Sequence, residues 1–332
     1  VDQSAASNQP FTMSDNNLKL HLIFNGEIYN FEELKRLIKS EFGVSFNTNS
    51  DTELILVAYA LYGVHAFKKF DGVWSIVIYD ECQNKVIISR DRLGEKPLYY
   101  FSDAKQLIIS SEIKPIIEFT RNVKINEYEV NACAISGYYG DLTDTCFANI
   151  QCVSPGTFTA FELPLSSGFG SVMDQSERYW FFELDTETFV SKTADDDCEA
   201  QLVDYITYCV QSRIPRDCKV ALSLSGGVDS SIIAFTLHKL GVSFTAFTNS
   251  FNNQALIEID ESETVRETAY NLSAQVNFCQ FDYSDTDHVK EIYRKKIVNY
   301  EAPIADIGFS GFGVYQSIKQ AGFKVVLEGQ GA

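Results

Sequence analysis

The chain has 332 residues, and its 27 Lys and Arg against 45 Asp and Glu give a net charge of −18, which argues against nucleic acid or an anionic membrane as its main partner. At about 150 residues per domain the length fits two domains, and 45% hydrophobic residues with 25 Phe and 17 Tyr belong to a globular chain, not a disordered one. No apolar run approaches the roughly 18 residues of a membrane span, Val1-Asp2-Gln3-Ser4 carries no basic signal region, and the eight scattered cysteines lack any Cys-x-x-Cys, so a cytoplasmic location with reduced thiols is expected.

Leu18, Leu20, Leu22 and Phe24 alternate as in a strand, and Asn25-Gly26 after them predicts a tight turn. Asn30 opens a helical stretch from Phe31, and Ser50-Asp51-Thr52-Glu53 opens a second helix in the manner of a capping box. Runs at 74–79, 85–89, 98–101 and 107–110, separated by short polar turns, predict consecutive antiparallel strands, with more around Pro155-Gly156. The polar, acidic stretch 183–198 marks a boundary, giving domains of 1–182 and 183–332. Beyond it strands at 220–224, 243–248, 275–281 and 324–327 alternate with helices at 230–240, 261–272, 287–298 and 310–320. This alternation predicts a parallel sheet with helices on both faces, which binds ligands at the carboxyl ends of its strands.

Residues 224–231, Leu-Ser-Gly-Gly-Val-Asp-Ser-Ser, lie at such an end. Two glycines permit a tight turn and close approach, while serine hydroxyls and the first helical N–H groups supply donors suited to phosphate. No lysine follows, so this is not the common phosphate loop; a plain strand end with Asp229 or Ser230 as a helix cap is the simpler alternative. In the first half, the Asn25 amide and the Gly26 N–H could hold an oxyanion during acyl transfer, and Glu27 and Asp51 could hold an ammonium group. Taken singly, each reads first as a turn or a helix-start residue. The histidines at 21, 65, 238 and 288 are isolated, and the 308–313 glycines do not make a dinucleotide fingerprint.

Ser225-Gly226-Gly227-Val228-Asp229-Ser230-Ser231 resembles the signature of the ATP pyrophosphatase family. Asn25-Gly26-Glu27-Ile28-Tyr29-Asn30, Ser50-Asp51-Thr52-Glu53, Phe70-Asp71-Gly72-Val73-Trp74 and the run from Arg90 to Tyr100 resemble, in order and spacing, the class II glutamine amidotransferase domain. Together they resemble the glutamine-hydrolysing asparagine synthetase family along the whole chain; further matches are Gln9-Pro10, Arg178-Tyr179-Trp180, Asp260-Glu261 with Arg266, and 325–331.

The resemblance implies an α+β N-terminal-nucleophile domain, an αββα sandwich that frees ammonia from glutamine. An α/β domain of the ATP pyrophosphatase type would follow, in which ATP adenylates a carboxylate, that of aspartate in the family, and ammonia displaces AMP. By the family pattern Asn25 and Gly26 form the oxyanion hole, and Glu27 and Asp51 hold glutamine. Ser225, Gly226, Gly227, Asp229, Ser230 and Ser231 take the pyrophosphate end of ATP, Asp229 also through Mg²⁺, while Leu224 and Asn249 lie near the nucleoside and Gly329 joins the ATP site. Partners are then small molecules, with a homodimer left open.

The family nucleophile, a cysteine at the mature N-terminus, has no counterpart near Val1, and the stretch Glu328–Ala332 stops inside a loop that usually continues with Asp-Glu. The expectation is a chain lacking both parts and inactive alone. Gln330 stands where asparagine synthetases usually carry a Glu that handles protons, so Glu328, Glu301 or a different acceptor has to account for that step. A sister enzyme adenylating another carboxylate, as a β-lactam synthetase does, and a protein that only binds nucleotide or partners are the alternatives.

Overall fold

In a computed structural model of the chain, the described residues are 7–15, 17–121, 123–136, 143–163, 176–182, 196–215, 218–251, 258, 260–280, 285–301 and 309–329. The backbone divides into two units, Val1–Leu184 with Ile297–Ala305, and Asp185–Lys296 with Asp306–Ala332. Residues 183–195, around the expected boundary, lie outside the described ones.

Alternation builds the first unit. In β2 (Leu18–Ile28), Leu20, Leu22 and Phe24 are buried while Lys19 and Ile23 face out. This strand pairs antiparallel with β1 (Phe11–Asp15) and β3 (Gly72–Asp80), and it runs straight through Asn25-Gly26, so the expected turn there is corrected. Gly26 is not in the left-handed region; a Cβ on it would lie 2.0 Å from the Val73 carbonyl oxygen, so it is the neighbouring strand that demands glycine.

Helix α1 (Phe31–Phe42) buries Phe31, Leu34 and Ile38 on one face and ends at left-handed Gly43. Helix α2 (Asp51–Tyr62) is buried from Thr52 to Ala58, all round, and is capped by Ser50, whose Oγ accepts from the Thr52 N–H. The reciprocal half of the capping box is absent: Glu53 instead accepts from the N–H groups of Asn47 (2.8 Å) and Thr48 (2.6 Å) and from the Thr48 hydroxyl. After the short helix α3 (Ala66–Lys69) come β3 and β4 (Lys85–Arg90). With β8 (Thr157–Glu162) and β9 (Ser176–Arg178), the six-stranded order is β1-β2-β3-β4-β8-β9.

The expected unbroken run of antiparallel neighbours stops at β4. The next strands, β5 (Tyr99–Ser102), β6 (Leu107–Ser110) and β7 (Gln151–Cys152), form a second sheet in the order β6-β5-β7. Adjacent residues on a strand face opposite sides, and this separates the layers. On β4, Ile87 joins the core under α1 and α2, while Ile88 packs with Leu98, Tyr100, Val153 and Phe161 between the sheets. On β5, Phe101 turns away from Tyr100 onto Ile113 and Ile116 of α4 (Ile113–Thr120), beyond which lies α5 (Glu127–Ser136). Helices, two sheets and helices make the αββα sandwich of the N-terminal-nucleophile fold.

The second unit contains α6 (Asp196–Arg213), β10 (Val220–Ser223), α7 (Val228–Lys239), β11 (Phe244–Ser250), α8 (Ser262–Asn271), β12 (Gln275–Gln280), most of α9 (Thr286–Tyr300), α10 (Phe309–Gln320) and β13 (Val325–Leu327). Its four strands are parallel in the order β12-β11-β10-β13. Leu222 and Ala246 face Ala234 of α7 and Val265 of α8, whereas Ala221 and Phe247 face Val314 and Ile318 of α10. The sheet is therefore covered by helices on both faces. Among the described residues no helix is long and apolar enough to cross a membrane.

Candidate functional site

A cavity of about 200 Å³ in the first unit is lined by Gln9, Asn25, Gly26, Ser50 and Asp51 among others. Its floor is the edge of β2. The Phe24 N–H donates to Gln9 Oε1 at 2.7 Å and its carbonyl accepts from Gln9 Nε2 at 2.8 Å, while the Ile28 N–H donates to Asp51 Oδ2 at 3.1 Å. Backbone groups two residues apart on a strand point to the same edge, so the Gly26 N–H, between those two, turns toward the cavity. Asn25 is exposed, with Nδ2 3.5 Å from Ser111 Oγ. Three of the four predicted residues, Asn25, Gly26 and Asp51, thus meet at one cavity, and half-buried Glu27 is not in its wall.

The loop before Asp51 is held from two sides. Besides the Glu53 bonds, the buried Lys35 ammonium donates to the Thr48 carbonyl (2.9 Å) and Asn49 Oδ1 (2.7 Å) and lies 5.0 Å from the Phe31 ring centroid. Asn30 performs the same service across 41 residues: its Oδ1 accepts from the Asp71 N–H at 2.9 Å and its Nδ2 donates to the Lys69 carbonyl at 2.9 Å. A Cβ on Gly72 would meet the Glu27 carbonyl oxygen at 2.2 Å. The Asn25–Asn30 and Phe70–Trp74 motifs are therefore two edges of one close strand contact.

The Arg90–Pro97 motif is a structural knot that carries the chain from one sheet to the other. The Asp91 carboxylate, 1% exposed, accepts from the N–H groups of Trp74, Leu93, Glu95 and Lys96. The Arg90 guanidinium donates to the carbonyls of Gly94, Lys96 and Val153. Four bonds accepted by Asp91 and four donated by Arg90, the fourth to Cys152 Sγ at 2.9 Å, leave these charges satisfied and committed. Behind them, burial pushes the Tyr100 phenol up to about 12, and it donates to Gln151 Oε1 at 2.7 Å.

In the second unit the glycine-serine turn follows β10 at the carboxyl end of the sheet. Gly226 is left-handed (φ +80°), and Gly227 precedes the first residue of α7, whose opening N–H groups have no helical acceptor. Ser230 is 4% exposed and turned inward: its hydroxyl accepts from the Ser225 N–H at 3.2 Å, lies 3.1 Å from Ser225 Oγ and donates to the Gly227 carbonyl. The Ser230 hydroxyl shapes the turn, while Ser225, Gly227 and Asp229 are exposed on it and Ser231 is half-buried. Leu224 is buried, its N–H bonded to the Phe247 carbonyl at 3.0 Å, and Asn249 sits near the same end of β11. Gly329 lies over the start of α7, so close that a Cβ would be 2.8 Å from the Ser230 nitrogen.

Asp260 accepts from the N–H groups of Phe251 (2.8 Å) and Ser262 (2.8 Å). Burial raises its affinity for a proton, and those donors, with Arg266 nearby, outweigh it and hold the carboxyl below its ordinary value. The sequence marks Asp260 and Gln9 only as members of matched motifs, without their bonding partners, and gives no signal for Lys35. Of the two substitutes for a proton-handling Glu, Glu328 is hydrogen-bonded to the Tyr315 hydroxyl, and Glu301 belongs to the first unit, where the N–H groups of Ile113 and Lys114 hold it. Gln330 and Val1–Ser4 lie outside the described residues.

Among the described residues no group of three His, Cys, Asp or Glu could hold a metal ion by itself. A lone exposed carboxylate such as Asp229, beside a turn that can take phosphates, fits Mg²⁺, which is commonly bound by one or two carboxylates plus nucleotide phosphates.

This architecture is an N-terminal-nucleophile domain joined to an α/β domain with a parallel sheet of the ATP pyrophosphatase type. Residues 1–168 match the glutamine amidotransferase domain family and residues 201–332 the asparagine synthase family. The chain belongs to the glutamine-hydrolysing asparagine synthetase family. It is 29% identical to a putative glutamine-hydrolyzing asparagine synthetase 2 of Methanocaldococcus jannaschii, over 93% of this chain and 57% of that protein. It is 28% identical to glutamine-hydrolyzing asparagine synthetase 1 of Bacillus subtilis, over 94% and 46%, and 26% identical to Amidase chry2 of Gibberella zeae, over 100% and 49%. The chain spans about half the length of these relatives.

Proposed function

We propose that the protein is a glutamine-dependent, ATP-consuming, amide-forming ligase that makes asparagine from aspartate, with residues 1–182 as glutaminase domain and 183–332 as synthetase domain. The observation that carries this reading is the turn after β10, where left-handed Gly226, the opening N–H groups of α7 and the overlying Gly329 converge at the carboxyl end of a parallel sheet.

In this reading the pyrophosphate end of ATP lies on Ser225, Gly226, Gly227, Asp229, Ser230 and Ser231, with the nucleoside near Leu224 and Asn249. Mg²⁺ held with Asp229 would offset charge on the departing pyrophosphate. The acceptor carboxylate attacks the α-phosphorus, pyrophosphate leaves, and ammonia then displaces AMP from the acyl carbon. Ammonia comes from glutamine bound by Glu27 and Asp51: as a nucleophile, a cysteine thiol in the family, adds to the side-chain amide carbon, the amide oxygen becomes negative and is met by Asn25 Nδ2 and the Gly26 N–H, ammonia leaves, and water releases the acyl group as glutamate.

The test is to supply the full-length protein with ATP, Mg²⁺, glutamine and aspartate and to measure AMP, pyrophosphate and asparagine. Equal amounts of the three are expected. An absence of AMP with every carboxylate tried would overturn the reading. A second reading is favoured by Gln330 and by the match to an amidase along the whole chain: the same chemistry acting on a carboxylate other than aspartate's. It predicts AMP release with the other acceptor and none with aspartate.

A further inference from the structure

We propose that Glu301 is a positioning residue for the glutamine site, acting through residues 111–114 on Asn25. The inference rests on the reading of Asn25 as an oxyanion donor and adds to it a group from the far end of the chain. Residues 297–305 belong to the first unit although their neighbours on both sides belong to the second. Glu301 ends α9 with its N–H on the Ile297 carbonyl at 2.9 Å and a φ of +59°, a left-handed backbone that a non-glycine residue adopts only when its surroundings hold it there.

What holds it is the start of α4. One carboxylate oxygen accepts from the Ile113 N–H at 2.6 Å and the other from the Lys114 N–H at 2.7 Å, while the side chain is 7% exposed. Lys114 Nζ reaches back to the Val298 carbonyl at 3.3 Å, closing the contact from the other side. Helix starts carry unpaired N–H groups and favour negative charge, so the carboxylate is matched to its place. Both carboxylate oxygens are thereby committed to backbone donors.

The fastened segment ends at the glutamine site. Ser111, two residues before Ile113, is the residue whose hydroxyl lies 3.5 Å from Asn25 Nδ2. β6 fixes one side of Ser111, and α4, held by Glu301, fixes the other. Releasing the carboxylate frees the second side, and with it the partner that aims the Asn25 amide. An oxyanion donor that drifts by a fraction of an ångström weakens transition-state binding more than substrate binding.

The experiment uses the full-length protein and Glu301→Gln, which keeps the volume but sets an NH₂ group against one of the two N–H donors. Glutamine hydrolysis is measured beside product formation with ammonia supplied directly. The expected result is a fall in glutaminase kcat by about tenfold or more, a glutamine KM changed less than about twofold, and an unaltered ammonia-dependent rate. Glu301→Asp should recover part of the loss, and adding Ser111→Ala to Glu301→Gln should cost little more. A parallel fall in the ammonia-dependent rate, or an unchanged glutaminase kcat, would overturn the proposal.

Amide hydrogen exchange at Ile113 and Lys114 separates the proposal from the reading beneath it, because it needs no turnover. Exchange should be slow in the wild type and faster in Glu301→Gln. If the wild type hydrolyses no glutamine, the glutamine-site reading fails by itself. Exchange then decides whether Glu301 holds this segment, and equal exchange in both proteins rejects it.

Discussion

Replacing Gly26 by alanine tests the geometry on which the proposed glutamine site stands. The added Cβ would lie 2.0 Å from the Val73 carbonyl oxygen and 2.8 Å from the Trp74 Cα, where ordinary contact begins at 3.4 Å. Both atoms are backbone of β3, so no side chain can swing aside. Relief requires β2 and β3 to part locally by about 1.4 Å from their usual spacing of ~4.8 Å, which breaks the nearest ladder bonds. Overpacking costs about 1–3 kcal/mol and two lost bonds add ~0.5–1.5 kcal/mol each. The sum, ~2–6 kcal/mol, lowers the melting temperature of a unit this size by about 4–24 °C. Both tryptophans, Trp74 and Trp180, belong to the first unit, and Trp74 is directly opposite Gly26, so tryptophan fluorescence follows the right transition. A melting point within about 1 °C of wild type would refute the close-approach account.

Two further outcomes follow from other ties. Glu53→Gln puts an NH₂ group against one of the three donors that the buried carboxylate now accepts, and should cost ~2–4 kcal/mol in urea unfolding while weakening glutamine binding through the Asp51 loop; a change below ~0.5 kcal/mol would contradict the role given to Glu53. Asp260 has a folded-state pKa held below its ordinary value of 3.8, so its contribution is complete above that pH and drains away as pH falls through the lowered value. Asp260→Asn should therefore be less stable than wild type at pH 6, and the gap should narrow below pH 4; a gap that is constant with pH would reject the carboxylate's part.

Much of this was legible because its causes are local. The alternation in β2, the apolar face of α1 and the strand-turn-helix sequence around Gly226 each follow from residues within a few positions of one another. Where sequence reasoning failed, the cause lay elsewhere in the chain. Asn25-Gly26 carries the strongest hairpin signal among dipeptides, yet Gly26 is glycine because of Val73, 47 residues on, whose carbonyl leaves no room for a Cβ. Glu53 has the spacing of a capping box and reaches a different loop. The strands after Arg90 alternate as the earlier ones do, and nothing in their period tells that Asp91 and Arg90 send them into another sheet.

The same distinction sorts the motifs by what they do. The long run from Arg90 to Tyr100 is matched over more residues than the Asn25-Gly26-Glu27 site, yet the charges of Arg90 and Asp91 are taken up by backbone groups. Its length reflects the number of bonds needed to turn a chain between two sheets. Asn25, by contrast, is exposed with one long contact, and Gly26 turns its N–H to a cavity. Charged groups that are fully bonded stabilise a place, and donors held by their neighbours yet left facing space are the ones able to meet a substrate. On that criterion the positions proposed to meet a substrate are Asn25, Gly26 and the opening of α7, and Glu301 resembles Asp91 in being a carboxylate with both oxygens bonded to backbone N–H groups.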